Sequence, residues 1–502
     1  ISAAGYHFGN LEQVMQKADH IFRGEMETGI VQHCALEVHT SYAYLDSNQR
    51  IVIVSSTQIP HICRRIVGQA LGLPWGRIKI IKPYVGGGFG GKQDACLEPL
   101  NAAMTLAVGG RPVKLELTRE EYMTCTRTRH AMKLQFETAV SKEGRLLGIR
   151  VNALSNTGAY ASHGHSVILA GGSKFKYLYA FEAVEFNPCT VYTNLPAAGA
   201  MRAYGSPQVA FAFESHLDDI AVKLGIDPLE IRLRNFNSVG YEDHQTGNRI
   251  LSCAISECVE KGRQLIDWDQ RRRKCREENQ KSGYLKRGLG MACFSYGTGT
   301  YPACLEVAGA RIVLNQDGSI QLQVGATEIG QGSDTILAQM AAETIGIPYA
   351  SVHLISTQDT DISPFDTGSY ASRQAYISGM AVKKAALEIK AKILKAAGKL
   401  KDLPAASLDL KNAQVVIGET GEAVISLAEL ALHSYYHRVE SEPITADVSN
   451  NARVNAISFG ATFVEVEVDI RTGQVEVLDL YNIHDSGTII NHQLAAGQVH
   501  GG

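Results

Sequence analysis

Alternation of apolar and polar positions marks strands at several places along the chain. After the polar turn Asp46-Ser47-Asn48, the run Ile51 to Val54 reads as a strand. Ile312 and Leu314 face Ile320, Leu322 and Val324 across Asn315-Gln316-Asp317-Gly318, and Val464, Val466 and Val468 face Val475 and Val477 around Arg471-Thr472-Gly473. Period-two patterning broken by turn residues predicts half-buried antiparallel strands. Helices show the longer period. Phe213, Leu217, Ile220 and Leu224 follow Ser206-Pro207, which reads as an N-cap with Pro behind it, and Gly225 suits the left-handed C-terminal position. Asp227-Pro228 opens another helix. Val382, Ala386, Ile389 and Ile393 form an apolar stripe opposite Lys383, Lys384, Lys390 and Lys395. The run Arg271-Arg272-Arg273-Lys274, beside Glu277 and Glu278, reads as the solvated face of a helix. Strands and helices interleave without a strict βαβ rhythm, so the expected class is α+β. The polar stretch 259–287 reads as a linker between two similar-sized domains, 1–258 and 288–502.

Composition narrows the function classes. The chain has 502 residues, with 48 Lys plus Arg against 51 Asp plus Glu and a net charge of −3. Nucleic-acid readers carry a basic excess that is missing here. No apolar run approaches the roughly 18 residues of a membrane span, and Ile1-Ser2-Ala3-Ala4-Gly5 has neither a basic, apolar leader nor an initiator Met. Ten scattered cysteines contain no Cys-x-x-Cys pair, which disfavours zinc ribbons and thiolate-held clusters. Reduced thiols fit a reducing cytoplasm. The informative excess is glycine, 48 against 14 prolines, and these glycines are clustered.

Gly86-Gly87-Gly88-Phe89-Gly90-Gly91-Lys92 follows the short strand Ile78 to Ile81 and precedes a helix carrying Leu97, Leu100, Ala103 and Ala107. Bare backbone lets N–H groups approach a ligand, and a helix N-terminus favours negative charge. The run fits a P-loop, except that Gln93 stands where the magnesium-binding Ser/Thr belongs. It also fits Gly-x-Gly-x-x-Gly, with Glu116 near the place of a ribose-binding acid. A tight packing turn is the third reading. Gly325-Ala326-Thr327-Glu328-Ile329-Gly330-Gln331-Gly332 precedes a helix capped by Ser333-Asp334, and Gly497-Gln498-Val499-His500-Gly501-Gly502 ends the chain. Gln58, Gln331 and Gln498 thus sit in or beside irregular backbone, where an amide can both donate to and accept from a heterocycle. With Arg202 and Arg373 they suggest an anionic, heterocyclic cofactor. His163-Gly164-His165 lacks an accompanying ligand set and reads as satisfied loop histidines.

Seven segments occur in the order found in molybdenum hydroxylases. They are Ser55-Ser56-Thr57-Gln58, the Gly86–Lys92 loop, Ser155-Asn156-Thr157-Gly158-Ala159-Tyr160, Thr193-Asn194-Leu195-Pro196, Met201-Arg202-Ala203-Tyr204-Gly205, Thr327 to Gly332, and Gly497-Gln498. The chain most resembles the molybdenum-binding subunits of bacterial xanthine dehydrogenases. The resemblance covers nearly the whole length and overrides the two nucleotide readings, which rest on one loop.

The resemblance implies the following arrangement. A molybdenum–molybdopterin cofactor, with or without an added cytosine nucleotide, is held between two elongated domains of mixed sheets and helices. Gln58 lies near the metal's oxo ligand, with Gly88, Phe89 and Gly90 at its apical side and Arg202 close by. No side chain ligates the metal directly. Gln331, Gly332, Ala371, Ser372, Arg373 and Gln498 line the pterin. Tyr204 stacks on a flat substrate, Tyr301 opposes it and Gln93 meets the substrate edge. The implied reaction is hydroxylation of an electron-poor ring carbon of hypoxanthine or xanthine with oxygen from water, or of another N-heteroaromatic or an aldehyde. Separate [2Fe–2S] and FAD subunits are implied, as a dimer of heterotrimers in the cytoplasm, with no membrane or nucleic-acid partner. The family's general-base Glu lies beyond Gly502, so the chain reads as a subunit truncated at both ends, with no catalytic base of its own and inactive as a scaffold that holds cofactor and partners. Glu98 and Glu328 read as structural carboxylates.

Overall fold

The protein is described by a computed structural model covering residues 5–281, 283–301 and 303–502, so the segment Ile1-Ser2-Ala3-Ala4 lies outside the described residues. The expected α+β class holds: mixed sheets carry helices packed against them. Two compact units form, and neither is continuous in sequence. One comprises the chain up to Gln32, Arg127–Thr298 and Asn455–Thr488; the other comprises His33–Thr126, Gly299–Val454 and Ile489–Gly502. The division 1–258, 259–287 and 288–502 follows chain order, whereas these units do not.

In the first unit, the strand order is Tyr6–Phe8, Ala183–Tyr192, Leu146–Gly158, Met132–Val140 and His20–Thr28. Leu146–Gly158 and Ala183–Tyr192 run parallel, and the helix Gly164–Gly172 lies in the connection between them. A three-stranded antiparallel sheet (Leu285–Thr298, Ala456–Asp469, Gln474–Asp485) shares the same core, in which Phe136, Phe186, Phe213 and Trp268 are buried. Within the expected linker, helices Ile255–Leu265 and Trp268–Gln280 bury Val259 and Trp268 in this core.

Locally the structure departs from the sequence pattern at three places. The helix Ser206–Leu224 is capped by Gly205 in the left-handed region (φ 85°), so Ser206 is already helical; Gly225 ends it as expected. The hairpin valines turn away from the core: Val475 and Val477 are more than half exposed, while Phe459, Ala461 and Phe463 hold the covered face. Glu465 shares that covered face because Arg271 reaches it at 2.5 Å, which disguises the alternation. Arg271 and Arg272 are accordingly ion-paired, to Glu465 and Asp227, rather than merely solvated.

In the second unit, one mixed sheet has the order Gln358–Asp359, Ile78–Lys82, Ile51–Ser55, Thr40–Leu45, Val113–Glu116. Another has the order Val352–Ile355, Ile320–Val324, Val307–Leu314, Thr445–Asn451, with the predicted pairs Leu314–Ile320 and Ile312–Leu322 in register. Val382, Ala386, Ile389 and Ile393 of the helix Gly379–Lys401 are fully buried against it. The helix predicted after the glycine loop spans Glu98–Ala107. Leu100 is 56 % exposed, and the covered face is Glu98, Asn101, Ala102 and Thr105. Asn101 donates to Ser41 Oγ and Thr105 to the Ala43 carbonyl, so hydrogen bonds join the apolar contact of Ala102 in holding this helix to its sheet. Among the described residues, no helix is long and apolar enough to cross a membrane.

Candidate functional site

Four loops of the second unit are tied together around Ser369. Gln58 follows the strand Ile51–Ser55, and its Nε2 donates to the Ser369 carbonyl at 2.6 Å while the Ser369 N–H returns to the Gln58 carbonyl at 2.9 Å. Gln58 Oε1 accepts from the N–H groups of Gly90 (3.0 Å) and Lys92 (3.3 Å). From the third loop, Gln331 Nε2 donates to Ser369 Oγ at 3.2 Å, and the Gly87 N–H reaches the Ile329 carbonyl at 3.1 Å. A buried amide costs free energy unless its groups are bonded, and these two glutamines meet that requirement by fastening the loops to one another.

The glycine loop permits this approach. A methyl group at Gly88 would stand 2.5 Å from Gln58 Oε1, so no other residue fits there without displacing the amide. Phe89 adopts φ 51° and is 41 % exposed as a residue. Positive φ at a bulky residue is strained, and such strain gathers at functional sites. Lys92 is buried and ion-paired with Glu37, whose carboxylate also accepts from the Gly86 N–H. Its ammonium is thereby turned into the protein, which removes the group a P-loop would aim at phosphate.

Glu328 organises the third loop. Its carboxylate accepts from the N–H groups of Gly330 (2.7 Å), Gly332 (3.1 Å) and Asp334 (3.0 Å) and from Ser333 Oγ (3.2 Å). A carboxylate at a helix N-terminus satisfies donors that the helix leaves open. It does so here for the helix Ser333–Ile345, whose N-cap is Gly332 at φ 86° and not Ser333. Behind it, buried Lys82 donates to the Glu328 carbonyl at 3.1 Å. Burial draws the Lys82 ammonium down to about 8, against the pull of Asp334 and Glu328. Glu98 likewise binds Ser55 Oγ (2.6 Å), and burial raises its pKa. Both carboxylates are thus hydrogen-bonded within the fold.

The fourth loop presents backbone. Arg373 is fully buried between Glu306 (Nε to Oε2, 2.7 Å) and Asp366, and it also donates to the Gly368 and Val307 carbonyls. Burial works against its charge, and the two carboxylates more than restore it. Its guanidinium is therefore neutralised internally, and what it supports is the turn before it, where Ala371 (φ 48°) and Ser372 (φ 53°) are both left-handed. Successive N–H groups in such a turn, at the start of a helix, make a concavity suited to anions. The buried hydroxyl of Thr327 and the Oε1 of Gln374 have no hydrogen-bond partner among the described residues. The glycine cradle, the exposed Phe89, the left-handed turns and these two orphaned polar atoms fit an anionic, hydrogen-bonding ring system such as a pterin.

The remaining predicted residues divide between the units. Gln93 lies in the short helical turn Gly91–Gln93. Tyr301 follows Gly299, whose N–H reaches the Ala371 carbonyl at 2.9 Å. Gln498 is placed in the helix His492–Gly501 rather than in irregular backbone. Leu494, one turn earlier on the same side, packs where Gly332 has no side chain, 2.8 Å from the place of its missing methyl. Arg202 and Tyr204 belong to the first unit. There Ala203 (φ 65°) and Tyr204 (φ 39°) are left-handed, and the Arg202 carbonyl accepts from Arg129 Nη2 at 2.9 Å. His163 meets the Tyr204 hydroxyl and His165 meets Thr190, so the two histidines serve separate partners. No group of three potential metal ligands occurs among the described residues.

Against known proteins, two matches to the molybdopterin cofactor-binding domain, at residues 2–236 and 261–502, cover nearly the whole chain. The chain belongs to the molybdopterin cofactor-binding family. Among members of this family, it is 50 % identical over 495 residues to the putative xanthine dehydrogenase molybdenum-binding subunit XdhA of Escherichia coli K12, covering 98 % of this chain and 65 % of that one. It is 33 % identical to the probable hypoxanthine oxidase XdhD of the same strain, covering 99 % of this chain and 51 % of that one. The chain thus spans less than two thirds of the length of these relatives. The fold matches quinoline 2-oxidoreductase from Pseudomonas putida 86 with a TM-score of 0.90 at 23 % identity, over 100 % of this chain and 66 % of that one. It also matches CO dehydrogenase from Oligotropha carboxidovorans with a TM-score of 0.88 at 24 % identity, over 99 % and 65 % of the two chains.

Sequence reasoning missed Ser369, Glu37, Glu306 and Asp366. Glu306 carried a usable signal, since a lone acid inside the apolar run Leu305 to Ala308 requires a buried partner. Ser369, in a short polar loop, carried none.

Proposed function

We propose that this chain is the cofactor-holding part of a molybdenum hydroxylase that oxidises a purine, hypoxanthine or xanthine, at an electron-poor ring carbon. The joining of Gln58, the glycine loop, Gln331 and the Ala371–Arg373 turn at Ser369 carries the reading. The 50 % identity to a protein named as a xanthine dehydrogenase molybdenum-binding subunit supports the substrate class. In chain order, 1–258 and 288–502 are the two cofactor domains. When bound, the molybdenum–pterin group supplies oxygen-transfer and two-electron redox chemistry. The chain's residues bind and orient. Gln58, Gly88, Phe89, Gly90 and Arg202 are assigned to the metal end, and Gln331, Gly332, Ala371, Ser372, Arg373 and Gln498 to the pterin. In this assignment Gln93 and Tyr301 meet substrate, and Tyr204 offers a ring face worth about 0.5–1.5 kcal/mol beyond area. Neither Glu98 nor Glu328 is offered as the base, because each is already hydrogen-bonded within the fold. Electrons pass to cytoplasmic partner subunits bearing [2Fe–2S] and FAD, in a dimer of heterotrimers.

The test is elemental analysis of the purified full-length complex for molybdenum, followed by anaerobic reduction with xanthine. Near-stoichiometric metal and reduction by xanthine are expected. Metal-free protein, or loaded protein reduced only by aldehydes, overturns the proposal.

A further inference from the structure

The loop carrying Tyr204 is held more firmly than ring stacking alone requires. Its backbone enters the left-handed region at two non-glycine residues in succession, Ala203 and Tyr204. Such conformations persist only where the surroundings over-determine them. On one side the helix Gly164–Gly172 is pressed against the loop: a methyl group at Gly205 would stand 2.2 Å from the Val167 carbonyl oxygen, and one at Gly171 would stand 2.5 Å from the Gly205 carbonyl oxygen. On the other side Arg129 donates to the Arg202 carbonyl (2.9 Å) and to Gln208 Oε1 (3.3 Å), and Gln208 Nε2 donates to the His130 carbonyl (3.0 Å). The backbone of Tyr204 therefore has no room to adjust.

The side chain is fixed as well. His163, immediately before the helix, places Nδ1 2.9 Å from the Tyr204 hydroxyl, with the two rings edge to face at 5.5 Å and 82°. Both residues are half-buried. A phenol whose hydroxyl direction is set by an imidazole presents an apolar face with a polar rim beside it. A ring bearing carbonyl and N–H groups matches both features, whereas an unsubstituted aromatic ring matches only the face.

We infer that His163 is a positioning residue which, by holding the Tyr204 hydroxyl, makes the site select oxygen-bearing N-heterocycles over apolar ones. The inference deepens the proposed function and rests on its placement of Tyr204 at the substrate. His163 acts through Tyr204, and its contribution is discrimination between rings rather than chemistry on either.

The experiment compares wild type with His163→Leu, Tyr204→Phe and His163→Asn in the full-length, metal-loaded complex, using xanthine and quinoline as substrates. Loss of one hydrogen bond predicts a KM for xanthine raised roughly three- to tenfold in His163→Leu and Tyr204→Phe; in His163→Leu, which keeps the Tyr204 ring, kcat is held within about twofold and the KM for quinoline is unmoved. The Asn amide reaches the place of Nδ1 and restores the wild-type KM. Equal shifts for both substrates, or none, overturn the inference. Titration calorimetry of the same two compounds into metal-free protein provides a readout independent of turnover. There His163→Leu is expected to weaken xanthine alone. If the loaded wild type oxidises neither compound but the calorimetric difference persists, the proposed reaction fails and the role of His163 stands. If the wild type binds neither, both fall.

Discussion

Replacing Glu306 with Gln tests whether the Ala371–Arg373 turn is held by its buried charges. Glu306 Oε2 accepts from Arg373 Nε at 2.7 Å, and Oε1 accepts from the Thr300 N–H and hydroxyl at 2.6 Å each. All of these partners donate. In either orientation, a glutamine NH2 would face a donor, and Arg373 would keep only Asp366 as counter-charge. Breaking a buried pair costs about 3–5 kcal/mol, and the surviving Asp366 contact places this case at about 3 kcal/mol. That corresponds to a roughly hundredfold change in a local opening equilibrium. Hydrogen exchange by mass spectrometry, read on peptides covering 299–307 and 366–378, should show acceleration of that order in Glu306→Gln. The exposed pair Arg311–Asp447 is the internal control (side chains 41 % and 57 % exposed), because surface pairs contribute about 1 kcal/mol or less. If Glu306→Gln exchanges no faster in these peptides than Asp447→Asn does, the turn is held by something other than the buried charges, and the reasoning fails.

Three further outcomes are expected. Burial draws the His216 imidazole from 6.5 to about 4; its stabilising contribution is therefore full above pH 6.5 and lost as pH falls toward 4. The loss amounts to about 2 kcal/mol between pH 7.5 and 5. His216→Gln should flatten the pH dependence of the urea midpoint, and an unchanged slope would count against this. Gly88→Ala should push the Gln58 amide off the Gly90 and Lys92 N–H groups and lower molybdenum per protein several-fold with circular dichroism unchanged; wild-type metal content would remove Gly88 from the cofactor site. Lys92→Met should lower the melting temperature through loss of a charge-assisted bond worth about 1.5–3 kcal/mol, while ATP titration stays flat in both proteins. ATP binding that depends on Lys92 would restore the P-loop reading.

Where burial and period agree, the sequence was read without ambiguity: the stripe from Val382 to Ile393 and the hairpin Ile312 to Val324 have the predicted faces and register. Where a polar group is buried with a partner, the period misleads. Glu465 hides the covered face of its strand, and Asn101 and Thr105 lie on the covered face of their helix, because a satisfied hydrogen bond or ion pair occupies the place of an apolar contact. The same physics limited the reading of the site. Gln58 and Gln331 stood out as amides in irregular backbone, but their shared attachment at Ser369 joins positions far apart in the chain, and no local pattern encodes it. Arg373 was singled out for its charge, which the fold neutralises with two acids from separate segments.

The bond from Gln58 to Ser369 joins residues 311 positions apart. At synthesis rates of about 5–20 residues per second, the first of them leaves the ribosome roughly 15 to 60 seconds before the second. Through that interval the Gly87 N–H, whose acceptor is the Ile329 carbonyl, and the Gln58 Nε2, whose acceptor is the Ser369 carbonyl, lack their native partners, and the sheet from Thr40 to Glu116 lacks the strand Gln358–Asp359. Until then this unit has only its His33–Thr126 part, and its completion waits on the second half of the chain.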